Sequence, residues 1–385
     1  MRRESPPGRA LAFCLVNSAI SFSYALWRTL LPLYLELRGL AGWEIGVGVS
    51  LSYNMPLLLS FASGYLVDRL SWRVSFPLAQ ALLAASVLCL TLVDSLPLML
   101  ALSIPLGFAM AVITQVGVEV VAEVSGSERR GLAYALFLLA TGSSHAVGAS
   151  ISGFIARLWG YGTLFVLASS ATALSAVVSA LCLGRGDRRI PRPGFDDVIG
   201  FVRTDARFRA LAVTLLVHDF SVYIAIPYLA LYAEHSIGLS EVEIGLLNGL
   251  STAAKLTFQA VSGLVADRIG GSCTLVLHFV GVSASYIALT GAGDFPQAAA
   301  VFAAIGAATS LDLPARRLIL SRIAPRGYLA TVSGLADSMA GLGAATSPIL
   351  GGLLWDVSHP LPLVVAGLTN LLAIPPVLRL RGMGE

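Results

Sequence analysis

Charge is what this sequence has least of. Of its 385 residues only 12% are Asp, Glu, Lys or Arg, against roughly 25% in a water-soluble domain that must solvate its own surface. Lysine is nearly absent: Lys255 stands alone and every other Lys/Arg position is arginine. Cys14, Cys89, Cys182 and Cys273 are scattered without paired spacing, so they read as small apolar fillers and not as a disulfide or metal framework. No His-Glu-x-x-His, Gly-x-Ser-x-Gly or Gly-x-x-x-x-Gly-Lys-Ser/Thr occurs, which argues against metalloprotease, hydrolase and ATP-driven chemistry. No catalytic residue, cofactor or metal site is expected.

Apolar residues fill the space that charge leaves. They make up 56% of the chain, and the mean hydropathy is +0.80. No soluble fold of this length hides so much apolar surface, so lipid must be its solvent. A spanning helix takes about 20 mostly apolar residues, because the hydrocarbon layer is ~30 Å thick. Punctuation by charge, Gly and Pro divides the chain into about twelve such spans, at 11–37, 45–67, 74–93, 96–121, 131–155, 161–183, 208–233, 244–266, 273–290, 295–320, 327–354 and 361–378. The fold class expected is all-α and integral to the membrane, with twelve transmembrane helices in two six-helix bundles.

Arginines crowd the loops on the side that holds both termini, among them Arg2, Arg3, Arg69, Arg73, Arg129, Arg130, Arg188 and Arg189. The opposite loops carry acids such as Glu44, Glu234 and Glu241. The positive-inside rule then puts both termini in the cytoplasm of a cell (plasma) membrane protein. The formal net charge of +3 reflects this bias and not nucleic-acid binding. The first span has no small-residue cleavage site and reads as retained.

The charged stretch near the middle separates an N-terminal bundle (1–183) from a C-terminal bundle (208–385), with a cytoplasmic linker (184–207) between them. Phe195, Val198, Ile199 and Val202 recur there at helical spacing, as in a short helix lying on the membrane surface. The two halves repeat each other. A single shift of 199 residues carries Glu44-Ile45-Gly46 onto Glu243-Ile244-Gly245, and Gly64-x-x-x-Asp68-Arg69 onto Gly263-x-x-x-Asp267-Arg268. A duplicated six-helix unit related by a pseudo-two-fold axis is the economical explanation.

Gly64-Tyr65-Leu66-Val67-Asp68-Arg69, with its second copy Gly263-Leu264-Val265-Ala266-Asp267-Arg268, resembles the loop signature of the major facilitator superfamily. Ser71 and Trp72 depart from that signature, and no basic residues follow Gly270. The resemblance implies a transporter whose gating motif is Gly64, Asp68, Arg69, Gly263, Asp267 and Arg268. It also implies that spans one, four, seven and ten surround a central cavity, with two, five, eight and eleven beside them.

Charges inside spans are expensive and usually line a cavity. At ~1.5 Å per residue, Asp219, Lys255 and Asp337 fall about 15–17 Å into their spans, near the midplane. With Arg28, Asn54, Glu119, His145 and Asp312 they form the candidate substrate and proton cavity, lodged on the helices that the resemblance makes central. Lys255 stands where the first half has Pro56. A buried lysine sheds its proton more readily than an arginine, so it can act as a switchable charge and is expected to pair with Asp219 or Asp337. His218 and His278 read as hydrogen-bonded packing residues. Arg316 and Arg317 read as residues of the water interface.

The function expected is movement of a small solute by alternating access, with proton-coupled efflux (antiport) as the narrower form. An uncoupled facilitator or symporter of an anionic or zwitterionic solute is the alternative, and a transport-inactive membrane sensor belongs to another class. The partners expected are a small-molecule substrate, protons and the lipid bilayer, with no nucleic acid, for a chain acting as a monomer.

Overall fold

The computed structural model describes residues 7–59, 63, 72–124, 130–182, 204–324 and 329–382. Gly64, Asp68, Arg69, the surface helix expected near Phe195, and the side chain of Glu119 lie outside what it describes. Among the described residues there is no strand. The helices are α1 (Pro7–Leu37), α2 (Gly42–Leu58), α3 (Trp72–Cys89), α4 (Leu96–Val124), α5 (Arg130–Cys182), α6 (Ala206–Ala225) and α7 (Tyr228–His235). They continue with α8 (Glu241–Ile269), α9 (Gly271–Leu289), α10 (Phe295–Thr309), α11 (Asp312–Ile323), α12 (Leu329–Val357), α13 (Leu361–Asn370) and α14 (Ile374–Gly382).

Twelve spans follow once the breaks are understood. The 53-residue α5 is two spans that meet at Gly160, whose φ of 81° and ψ of 164° turn the chain back. Only glycine adopts that region without strain. In α6–α7 the break precedes Pro227 and in α10–α11 it precedes Pro314, because a proline ring clashes with the carbonyl four residues back and donates no hydrogen bond. Each of these pairs is one bent span. Among the described residues seven helical stretches are long and apolar enough to cross a membrane on length and composition alone, the α5 stretch counting once. Outside that set, α1, α8 and α12 carry Arg28, Lys255 and Asp337, and α2 is short within the described residues.

The chain forms two compact units. The first holds residues 1–40, 51–189 and 240–252, and the second holds 41–50, 190–239 and 253–385. In the first, α1 is tied to the second limb of α5 by Ser23, whose hydroxyl donates to the Ala168 carbonyl at 2.7 Å and accepts from Thr172 at 2.7 Å. Such hydroxyl bonds hold helices together where lipid supplies no hydrophobic drive. In the second unit, Phe208, Leu211 and Leu215 of α6 pack with Leu275 and Phe279 of α9, Ile319 of α11 and Ala336 and Ala340 of α12.

The repeated Glu-Ile-Gly has a structural cause in both copies. Glu44 accepts from the Ala41 amide at 2.8 Å, and Glu243 accepts from the Ser240 amide at 2.9 Å and its hydroxyl at 2.8 Å. Glu243 closes a capping box with Ser240, whereas Glu44 makes only the carboxylate half, since Ala41 has no hydroxyl to accept in return. The Ser240 amide and hydroxyl also hold the Glu243 carboxyl below its usual range. Two residues on, each glycine meets a neighbouring backbone. In the second unit Gly46 faces the Pro348 carbonyl of α12; in the first, a Cβ on Gly245 would lie 2.9 Å from the Ala149 carbonyl of α5. The same 199-residue shift that relates the glycines carries Ala149 onto Pro348.

Gly263 behaves differently from the close-packing glycine that the motif suggests: among the described residues nothing lies within 4 Å of a Cβ placed there. Gly245→Ala is therefore expected to cost about 1–3 kcal/mol through overpacking. Gly263→Ala should hold or raise stability, since alanine is the better helix former. Thermal unfolding of the two detergent-solubilised variants checks this. Equal melting temperatures would contradict the packing described.

Candidate functional site

Each unit gathers its own polar group, and the two are chemically unlike. In the first unit Arg28 of α1 lies among flat rings. Its guanidinium carbon is 4.3 Å from the ring centroid of Tyr53 on α2 and 5.1 Å from that of Tyr24. The Tyr53 hydroxyl donates to the Arg28 carbonyl at 2.5 Å. Tyr24 meets Trp27 edge-on at 5.2 Å and His145 of α5 at 6.1 Å. Trp27 is fully buried, and its indole N–H has no hydrogen-bond partner among the described residues. Asn54 is buried next to Tyr53 in the chain. The result is an aromatic group with a cation set among its rings, Trp27 and Tyr53 buried and Tyr24 partly exposed.

The second unit holds an ion cluster. Arg316, on α11, reaches across to α6, where its Nη2 donates to Asp219 Oδ1 at 3.1 Å and its Nη1 to Asp219 Oδ2 at 3.5 Å. Its Nε donates to Asp312 Oδ1 at 2.5 Å, one helical turn earlier. Only 12% of the Arg316 side chain is exposed. The planar guanidinium fork satisfies two carboxylates at once, which a lysine does not do. Asp337 of α12 lies in the field of Arg316, Arg317, Asp219 and Asp312.

Next to the cluster are two histidines. His218, the residue before Asp219, places Nε2 3.7 Å from Asp219 Oδ1. Its Nε2 is also 3.1 Å from Nε2 of His278 on α9. Both rings are almost fully buried. His218 Nδ1 lies 2.7 Å from Asn370 Oδ1 at the end of α13, and His278 Nδ1 lies 2.8 Å from the Ala308 carbonyl. Donor atoms of His218, His278 and Asp312 all lie within 4.8 Å of one another, a grouping their separated sequence positions do not reveal.

Of the residues singled out in the sequence, the structure brings Arg28 and His145 to one aromatic group, and Asp219, Asp312 and Asp337 to one charged group. Asp219 pairs with Arg316 where Lys255 was expected, while Lys255 stands on an exposed face of α8. Asp267 and Arg268 are exposed at the end of α8. Arg316, expected at the water interface, instead has only 12% of its side chain exposed and meets Asp219. Its signal was the four-residue spacing from Asp312, which puts both on one face of a helix.

Comparison with known proteins agrees with this architecture. The sequence profile described as Major Facilitator Superfamily matches residues 11–216 and again 211–382. The chain is 21% identical over 345 residues to the multi-drug resistance efflux pump PmrA homolog of Lactococcus lactis, covering 86% of this chain and 84% of that protein. It is 23% identical over 377 residues to multidrug resistance protein 1 of Bacillus subtilis, covering 94% of each. Among solved structures, a bacterial homolog of the human lysosomal transporter Spinster superposes with a TM-score of 0.80 at 13% identity, covering 98% of both chains. The nucleoside transporter NupG gives 0.79 at 12% identity, covering 98% of this chain and all of that one.

The Arg316 bridge yields a stability prediction. Arg316→Met leaves buried carboxylates without their partner and is expected to destabilise by about 3–5 kcal/mol. Adding Asp219→Asn removes one stranded charge and should recover part of that loss. Melting curves of the single and double variants in detergent measure it. A double variant no more stable than Arg316→Met would show that the pairing is not what holds α6 to α11.

Proposed function

The chain belongs to the Major Facilitator Superfamily, and on that premise we propose that it is a proton-coupled exporter of small amphipathic solutes working by alternating access. It is a multi-pass membrane transporter of a small molecule, as its family and its apolar helices establish. The direction rests on the relatives named efflux and multidrug resistance proteins. Two bodies, 1–183 and 208–385, rock about the 184–207 linker, in a monomer whose termini both face the cytoplasm of the plasma membrane.

One observation carries the coupling. Asp219, Arg316 and Asp312 form a charge cluster across α6 and α11 in the second unit, with Asp337 of α12 in its field. Charge so placed costs several kcal/mol, and that cost is offset by use: a carboxylate that exchanges its arginine partner for a proton changes which arrangement of the helices is favoured. In this reading the aromatic group around Arg28, with Tyr24 and Arg28 partly exposed, receives a flat apolar solute. Lys255, Asp337, Asn54, His145 and Glu119 complete the solute and proton path in this reading. Gly64, Asp68 and Arg69, with their second copies Gly263, Asp267 and Arg268 in the last turns of α8, bias one state over the other in this reading.

Purified protein in proteoliposomes, with ethidium as the probe and an imposed pH gradient, tests it. Gradient-dependent ethidium movement should fall at least tenfold in Asp219→Asn and should vanish when an ionophore collapses the gradient. Movement that survives the ionophore points to a facilitator. Movement indifferent to both Asp219→Asn and Lys255→Met sinks the coupling scheme.

A further inference from the structure

The hydrogen bonds around the two histidines leave one position unexplained. Asn370 donates through Nδ2 to the Phe279 carbonyl at 3.1 Å and to the Ser283 hydroxyl oxygen at 3.1 Å. Turning its amide over would set a carbonyl oxygen against the Phe279 carbonyl, so Oδ1 is the atom that faces His218. That oxygen only accepts, and His218 Nδ1 must carry a hydrogen. The Ala308 carbonyl likewise only accepts, so His278 Nδ1 must carry one too. Two neutral rings with their hydrogens on Nδ1 have bare lone pairs on both Nε2 atoms. Those lone pairs would face each other across 3.1 Å in a site shielded from water. An unrelieved contact of that kind costs as much as a buried unsatisfied polar group.

We propose that one proton is held between Nε2 of His218 and Nε2 of His278, making the pair a single proton-binding site. One ring is then an imidazolium that donates to the bare Nε2 of the other, and every polar atom of both rings is satisfied in the geometry observed. The charged groups nearest the pair are Asp219 on α6 and Asp312 and Arg316 on α11, while among the described residues α10 and α13 add the Ala308 carbonyl and the Asn370 amide. With Asp337 of α12 and Arg317 of α11, which share the same field, three carboxylates and two guanidiniums carry one formal negative charge, which a single proton cancels. The nearest anionic atom is Asp219 Oδ1, 3.7 Å from His218 Nε2. The bond changes are simple: a proton from water joins one Nε2 lone pair, and on release returns to water, with no other group altered. This deepens the proton-coupled reading by giving the proton a seat, yet the site stands on geometry independent of any transported solute.

The test is nitrogen NMR of the full chain labelled with ¹⁵N-histidine, in lipid nanodiscs near neutral pH after chelator treatment. The proposal predicts three protonated nitrogens among the pair's four, with a scalar coupling between the two Nε2 atoms across the hydrogen bond. Both His278→Gln and His218→Gln should abolish that coupling and the imidazolium signal, with a melting transition showing that each variant is folded. Asp219→Asn should lower the imidazolium signal at the same pH, because the nearest carboxylate is gone. Two bare Nε2 atoms, or a bare Nδ1 on either ring, would overturn the assignment. So would a stoichiometric metal ion found before chelation, which would make the same lone pairs a divalent-cation site. Ethidium movement can fail while the NMR signature stands, and the reverse also holds, so this proposal and the export reading fall separately.

Discussion

The buried guanidinium of Arg316 is the interaction on which the second unit depends. It faces Asp219 from α6 and Asp312 from its own helix, and it leaves little of itself to solvent. Three ionised groups in a low-dielectric interior are affordable only together, since any one alone would cost several kcal/mol. That mutual need fixes the rotation of α11 about its axis and the depth at which α6 stands against it. Pro314 makes the arrangement reachable. The break it imposes before α11 swings the helix so that Asp312 and Arg316 share a face turned to α6, and the interruption leaves Ala308 with a carbonyl that His278 uses.

The duplicated scaffold and the unduplicated chemistry obey different constraints. At the starts of α2 and α8 a capping carboxylate and, two residues on, a glycine recur at the same shift, because each helix must begin at a defined point and then pass a neighbouring backbone closely. Those are demands of packing, and both halves share them. The charged groups do not recur. Asp219 and Arg316 have no charged counterparts among the aromatic side chains around Arg28. One unit therefore offers area and polarisability, and the other offers titratable charge. A transporter that couples a solute to a proton needs both, and they need not be symmetric.

What could be read from the sequence follows from the range of the physics involved. Span positions, the repeat and the depth of Asp219 and Asp337 depend on one helix at a time, and a hydropathy pattern with a 1.5 Å rise resolves them. Pairing depends on how helices rotate against one another, which no single-chain period encodes. Matching depth allows Lys255 to pair with Asp219 or Asp337, but the cation that meets Asp219 is Arg316 from α11. His218 and His278 are sixty residues apart and each is ordinary in its own helix. Their meaning arises only when both Nδ1 atoms are seen to be spent on carbonyl oxygens. Among the described residues a Cβ at Gly263 would meet nothing within 4 Å, whereas at Gly245 the approach to a neighbouring backbone is close, a difference no motif encodes.

Charge balance links the two halves of the second unit's cluster into one device. With the histidine pair protonated, Asp219, Asp312, Asp337, Arg316, Arg317 and the pair carry no formal net charge, the cheapest state for groups kept from water. Removing the proton leaves a net negative charge and two opposed lone pairs, so the closed arrangement loses stability on both counts. The relief available is for Asp219 to seek water or another cation, or for α9 to draw His278 away from His218. Either motion displaces helices that pack directly on α6. A proton at this position is thus tied to helix position by electrostatics alone, without a dedicated hinge. A cluster that already satisfied itself without the proton would have no reason to move when one arrived.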